Sequence, residues 1–397
     1  MFAQQFAVNG YVKQLATFNN VNQQYIEGFA SNPLLKPFLS FFPSSSQDYQ
    51  IHNRINANWY GPNGLSAGVG MRNRLFWGYT TRNYYENQQL YTFLGIDSYQ
   101  DLVDFNYFFN LSITWWENRN TVLYTVFDRM WLQWENEKVR LRAGRQRINW
   151  GINTVFNPND LFNQYNFFDF DYEERPGVDA ILGQYYINPY SSIEVAYAPS
   201  RDSVQQSVGA ALYRLNRWQY DWQVLAGYFK NDIALGFGWA GNLGNAGFKG
   251  EATYFLPLNK NYSQESFVAS LSVDYSLRNG IYLLGGYIYN QLGTTNASIT
   301  NQIGLAGAQL SAKNIFPYRH TIMLSGGYNL TALLRFDLSW IQTPDFANAF
   351  AVPQLSYSLL QNLDLLVLGQ IYFADNPENQ DFGFFSSAIF TRIKYSF

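Results

Sequence analysis

The chain alternates. From Ser266 onward, Phe267, Ala269, Leu271, Val273, Tyr275 and Leu277 fall on one side of an extended backbone, and Ser266, Ser270, Ser272, Asp274 and Ser276 fall on the other. Leu334, Phe336, Leu338 and Trp340 alternate in the same way with Arg335, Asp337 and Ser339, and Ile193, Val195 and Tyr197 alternate with Ser192 and Glu194. Successive side chains of a strand point to opposite faces, so each run predicts a strand with one apolar and one wet face. The polar sides carry small serines and isolated charges rather than the long polar residues that cover a soluble sandwich, which suits a water-filled lumen. The apolar sides are then expected to face lipid.

In the first half the rhythm predicts strands near residues 6–18, 49–60, 65–79, 105–116, 121–134 and 139–149, while residues 84–102 read equally as a strand or a short helix. The total is about 18, with 16 to 20 allowed, because single-chain bacterial barrels have an even strand number. The expected fold is therefore all-β: one antiparallel transmembrane β-barrel occupying residues 1–397 as a single domain, with long extracellular loops and short periplasmic turns. The last strand aligns Phe385, Ser387, Ile389, Thr391, Ile393, Tyr395 and Phe397 on one face and stops on an aromatic residue. Ile393, Tyr395 and Phe397 resemble the C-terminal signal that the outer-membrane barrel assembly machinery reads, which would place this end in the periplasm. Counting back, short turns are expected near Asn362, Ala332, Asn279, Asn242, Asn216 and Asn188-Pro189, and long outer loops over 293–317 and 151–176. A further loop, 19–47, holds Ile26, Phe29, Leu34, Leu35, Phe38, Leu39, Phe41 and Phe42. It is too apolar for free solvation, so it is expected to plug the lumen, to pack on the rim or to meet an envelope protein partner.

Composition narrows the choice. Aromatic residues make up 19% of the chain and charged residues only 14%, against roughly 25% charged in soluble domains. Yet no run approaches the ~18 apolar residues of a transmembrane helix. A closed sheet reconciles the two, since an open edge would leave backbone groups unpaired in hydrocarbon. There is no cysteine, which excludes disulfides and thiolate metal sites, and the net charge of -3 with scattered basic residues argues against nucleic acid. Met1-Phe2-Ala3-Gln4-Gln5 has neither a charged nor an apolar leader region, so an export signal is expected to be absent from this sequence.

The candidate site lies between residues 138 and 180. Lys138, Arg140 and Arg142 share a face with period two, whereas Arg145 and Arg147 are out of phase with them. A bulge at Ala143-Gly144 would return all four arginines to the lumen, the preferred reading; otherwise Arg145 and Arg147 face outward, toward lipopolysaccharide phosphates. Beyond the turn at Trp150-Gly151 comes a loop with Asp160, Asp169, Asp171, Glu173 and Glu174. Folded inward, Asp169, Asp171, Glu173 and Glu174 would face the arginines across the pore, as charged rings do in selective channels. The competing reading is that Asp171 or Glu173 only ties the loop to Arg145 or Arg147. Arg335 and Asp337 are expected to line the pore from another strand. The acidic residues lack the spacing of a calcium loop, so neither metal nor cofactor is expected.

The run Gly144-Arg145-Gln146-Arg147-Ile148-Asn149-Trp150-Gly151, followed by Phe156-Asn157-Pro158-Asn159-Asp160-Leu161-Phe162 and Glu174-Arg175-Pro176-Gly177-Val178-Asp179, resembles a signature of porin-like outer-membrane barrels related to the alginate-export and substrate-specific porin group. The resemblance implies an 18-strand-like barrel and passive movement of a small polar or charged solute, without turnover. The alternatives are an accessory barrel of a larger outer-membrane complex and an outer-membrane lipid-modifying hydrolase. The last is disfavoured, because His52 and His320, the two histidines, sit beside no nucleophile motif. Expected surroundings are outer-membrane lipid and lipopolysaccharide.

Overall fold

Each alternating run becomes a strand because its two faces meet unlike surroundings. In β13 (Ser266–Ser276) the serines at 266, 270 and 272 are buried while Phe267, Leu271, Val273 and Tyr275 stand exposed on the outer surface. A computed structural model describes residues 5–27, 36–104, 107–163, 176–295, 311–375 and 381–397. Its other strands are β1 (Gln5–Val21), β2 (Ser45–Tyr60), β3 (Leu65–Gly78), β4 (Ser112–Glu117), β5 (Thr121–Glu135), β6 (Val139–Gln146), β7 (Val178–Asn188), β8 (Ser191–Ala198), β9 (Val208–Arg217), β10 (Tyr220–Phe229), β11 (Asp232–Leu243) and β12 (Ala246–Pro257). The circuit continues with β14 (Tyr282–Asn290), β15 (His320–Asn329), β16 (Leu334–Gln342), β17 (Asn348–Leu360), β18 (Leu363–Asp375) and β19 (Phe382–Ser396).

Every neighbour is antiparallel, and β19 returns to β1 from Tyr11 opposite Ser396 to Val21 opposite Ser386. Phe397 adds the last rung, exchanging backbone hydrogen bonds with Gly10 at 3.0 and 2.9 Å. The sheet therefore closes as an 18-strand barrel with no free edge in the circuit. β4 stands outside the count. It pairs with the upper half of β5 on the side where β6 pairs only with the lower half, because β6 stops at Gln146.

The connections are asymmetric. At one end lie short turns, among them 189–190, 218–219, 244–245, 277–281, 330–333 and 361–362, at or beside the positions expected from the sequence. Trp218 and Gln219 both have positive φ, the twist that suits a two-residue hairpin. The opposite end carries the long segments. Residues 79–103, the ambiguous stretch, form helical turns at Tyr79–Glu86, Gln88–Phe93 and Tyr99–Val103. Their buried Tyr84, Tyr91 and Tyr99 pack on Val122, Tyr124 and Val126 of β5, so this region adds no strand to the circuit.

Outside, aromatic rings form two bands. Near the short turns Tyr220, Trp222, Phe237, Trp239 and Phe248 follow one another at 5.5–6.0 Å between ring centres. Near the long loops Tyr254, Phe267, Tyr289 and His320 do the same at 5.3–6.5 Å. Between the bands the exposed residues are chiefly Leu, Val and Ile, the pattern of a surface made for hydrocarbon flanked by two interfaces.

Candidate functional site

The lumen has two unlike walls. The first is built around the segment that follows β6. After Gln146 the chain leaves the sheet and enters the barrel, where Ile148, Trp150, Phe156 and Leu161 are buried in one cluster with Leu212, Leu225 and Phe255 of the wall. Trp150 is 0% exposed, packs edge-on against Phe162 and donates its indole N–H to Glu194 at 2.9 Å. Glu194 also holds the Arg214 guanidinium. The fully buried Glu251 accepts backbone N–H groups from Ile152, Asn153 (2.6 Å) and Asn159 (3.0 Å). Asn159 fits a cradle on β11 and β12. Thr253 donates to its Oδ1 at 2.8 Å, and its amide donates to the Phe237 carbonyl at 3.2 Å. A Cβ at Gly236 would come within 2.5 Å of that amide oxygen, so the loop reaches the wall only because the wall has glycine there.

A second inward segment, 311–319, closes on the first. Phe316 meets Phe156 at 5.5 Å, Lys313 pairs with Asp232 at 2.6 Å, and the Tyr318 hydroxyl donates to Asn348 at 2.8 Å. Burial holds the Tyr318 phenol above its ordinary range. Tyr25, from the 19–47 loop, joins the same cluster: its ring meets Phe385 and its hydroxyl donates to the Ala374 carbonyl at 3.1 Å. Phe29, Leu34 and Leu35 of that loop lie outside the described residues.

The second wall is cationic. On the inner faces of β19, β1, β2 and β3, Lys394 stands opposite Lys13, Lys13 opposite His52, and His52 opposite Arg74. One rung away, Arg54 stands opposite Arg72. The Lys394–Lys13 and Arg54–Arg72 rungs set like charges directly opposite each other, which is destabilising, so this register needs compensation. Asp128 supplies part of it. Its carboxylate lies 2.6 Å from Arg54 and 3.9 Å from both Arg72 and Arg129. The ring of Tyr11 faces the ammonium groups of Lys394 (4.7 Å) and Lys13 (5.4 Å).

Arg140 and Arg142 share the inner face of β6, where Arg142 donates to Gln133 at 2.7 Å and lies over Trp131 at 4.4 Å. Gly144 has φ of 113°, yet both ladders of β6 run through it without a register shift, so Arg145 projects to the opposite face. It is 1% exposed and paired twice with Asp179 at 2.9 Å. Its guanidinium also donates to the carbonyls of Phe127 and Phe109 and lies 3.7 Å from the Tyr107 ring. It fills the seam left where β6 ends and β4 takes over. Arg147 is exposed beyond the strand. Arg335 and Asp337 form a forked pair on the inner side of β16. Ile393, Tyr395 and Phe397 are exposed on the outer surface of the closing strand. Asp169, Asp171, Glu173 and Glu174 lie outside the described residues.

No family profile and no curated protein matches this chain. Solved structures do. The chain is similar to Acinetobacter baumannii OccAB3, with a TM-score of 0.61 and 11% identity over 99% of both chains. Pseudomonas aeruginosa OccK3 (OpdO) follows at 0.56 and 9%, over 98% of this chain and 95% of that one. Pseudomonas aeruginosa OccK11 (OpdR) gives 0.55 and 10%, over 98% and 96%. At such identities the likeness is one of fold.

The cationic wall is the part that sequence reasoning passed over. The signal was present as His52-x-Arg54, Arg72-x-Arg74 and Arg392-x-Lys394, pairs at the spacing that puts both members on one face of a strand. What joins them is register between strands far apart in the chain, above all the closure of β19 on β1. Beneath the first loop, a cavity of about 500 Å³ opens toward the short turns, lined by Gly151, Ile152, Tyr186, Arg214 and Asp221 among others.

Proposed function

We propose that this chain is a channel of the bacterial outer membrane through which small polar or charged solutes diffuse passively, drawn along the cationic wall. The observation that carries the reading is the convergence of Lys13, His52, Arg54, Arg72, Arg74 and Lys394 on one inner side of a closed barrel, where Lys13, His52, Arg54 and Arg74 are buried, while inward segments pack on the other side. A wall with an excess of one sign raises the local concentration of solutes of the opposite sign. The apolar outer belt with its two aromatic bands supports membrane seating, with the short turns in the periplasm and the long loops outside. Structural neighbours from the Occ/OprD group, outer-membrane channels for small solutes, support the same reading. Kinship with alginate-export barrels rests on the 144–179 resemblance alone. Arg140, Arg142 and the Arg335–Asp337 pair belong to the pore lining, and Ile393, Tyr395 and Phe397 form the signal for the barrel assembly machinery.

The test is conductance of the purified protein in a planar bilayer. Discrete steps with anion preference are expected, and Arg72→Ala and Arg142→Ala are expected to move selectivity toward cations. Silent, folded barrels would overturn the channel reading and turn the search to envelope partners.

A further inference from the structure

On the loop-bearing wall Glu194, Asp274 and Asp232 each meet a cationic side chain, Arg214, Lys249 and Lys313; Glu251 stands apart. Glu251 is fully buried on the inner face of β12, and among the described residues no cation pairs with it. Its partners are three backbone N–H groups of a single loop: Oε1 accepts from Ile152 and Asn153, Oε2 from Asn159. A carboxylate taken from water needs such donors, and buried N–H groups need an acceptor, so each side requires the other in place. The neighbouring rungs repeat the pattern with weaker groups. Ser270 donates to the Phe156 carbonyl at 2.8 Å and accepts from the Asn153 amide at 2.8 Å, and Gln223 donates to the Trp150 carbonyl at 3.0 Å.

We infer that Glu251 is the positioning residue that fixes how far the 147–163 segment projects into the lumen, and thereby sets the upper size of the solutes that pass. The inference rests on the channel reading above. Its chemistry is specific to the charge. Glu251→Gln keeps the volume, but with one amide oxygen receiving Ile152 and Asn153, the NH2 must face the Asn159 N–H, donor against donor. The loop is then released from the wall at one of its ties.

The experiment compares the native chain with Glu251→Gln, Glu251→Ala and Ser270→Ala, each first shown to be folded by heat-modifiable migration on a gel. Single-channel conductance and exclusion of polyethylene glycols of graded size are then recorded. For both Glu251 variants conductance is expected to rise by about twofold or more, as for a pore whose constriction is withdrawn, with a larger exclusion limit. Ser270→Ala is expected to move both in the same direction by less. Native values in folded Glu251 variants overturn the inference, since a merely stabilising contact would change thermal stability and leave pore size alone. If the native chain forms no channel, the function proposed above fails by itself. Limited proteolysis then decides the positioning role: cleavage within 147–163 in Glu251→Gln and not in the native chain supports it, and equal resistance overturns it.

Discussion

The wall of β8 to β13 and the wall of β19, β1, β2 and β3 use buried charge in opposite ways. On the first, two buried carboxylates are fully engaged by donors: Glu251 by backbone N–H groups, Glu194 by Trp150 and Arg214. On the second, cations stand opposite cations, and among the described residues the carboxylate of Asp128 serves three arginines. The difference is one of purpose. The first arrangement spends its charge on fixing a chain segment, whereas the second gathers an excess of positive charge on one side of the lumen. A barrel tolerates the second arrangement because closed backbone pairing, not side-chain complementarity, holds its strands in register.

The comparison breaks most sharply at Asp128. Asp128→Asn leaves Arg54, Arg72 and Arg129 around a neutral amide, and removing one partner of a buried pair costs about 3–5 kcal/mol. The folded band should be lost at a clearly lower temperature on semi-native gels. A variant as heat-resistant as the native chain would show that the cationic wall needs no hub.

On the other wall the counterpart is Trp150→Phe. The ring stays, but the N–H to the Glu194 carboxylate is lost, a charged hydrogen bond worth about 1.5–3 kcal/mol. The loss falls on the loop rather than on the barrel. Faster proteolysis within 147–163 at unchanged barrel melting is the expected result, and a drop in barrel melting would mean that the loop and wall unfold together.

Lys13→Gln sharpens the contrast with less energy at stake. It removes one ammonium from the row beside Lys394, so anion preference in bilayers should fall. Arg335→Gln should change selectivity less, because Asp337 already neutralises that arginine through a forked pair. Equal shifts from the two variants would refute the idea that the row of cations sets the field.

How much of this was legible in the sequence follows from the range of each interaction. Alternation is local, so β13, β16 and β8 could be read directly, as could the turns at Asn279 and Asn362 and the closing strand ending on Phe397. Residues 84–102 were ambiguous because Tyr-rich runs suit both states; the capping box of Ser98 and Asp101 supports the last helical turn there. Arg140 and Arg142 were placed on one face by period alone. Arg145 depended on whether Gly144 bulges, which only the ladder on both sides decides. The rows built from Lys13, His52, Arg74 and Lys394 depend on pairing across the whole length of the chain, and no window of sequence contains them. Nor does any pattern mark Glu251 as the acceptor for a loop about a hundred residues earlier.

The smallest expected effect lies outside both walls, in the helical segment over the long-loop end. Burial pushes the Tyr99 phenol up to about 12, with a hydrogen bond to Thr81 acting against the shift, whereas a free phenol titrates near ~10. The folded state thus favours the neutral form. Its contribution to stability is complete below the ordinary value and is lost as pH rises through the interval up to the folded one. Helix melting confined to this cap is expected between about pH 10 and 12, followed by tyrosinate absorbance and circular dichroism, while the strand signal persists because backbone pairing in the circuit does not titrate there. Tyr99→Phe should keep the packing against Tyr84 and Phe76 and weaken the transition, which the raised phenols of Tyr84, Tyr85 and Tyr91 in the same cluster share. If strands and cap melt together in that interval, the cap is not an independent unit, and the contrast between the two walls would extend to the tyrosines that cover the inner face of β5.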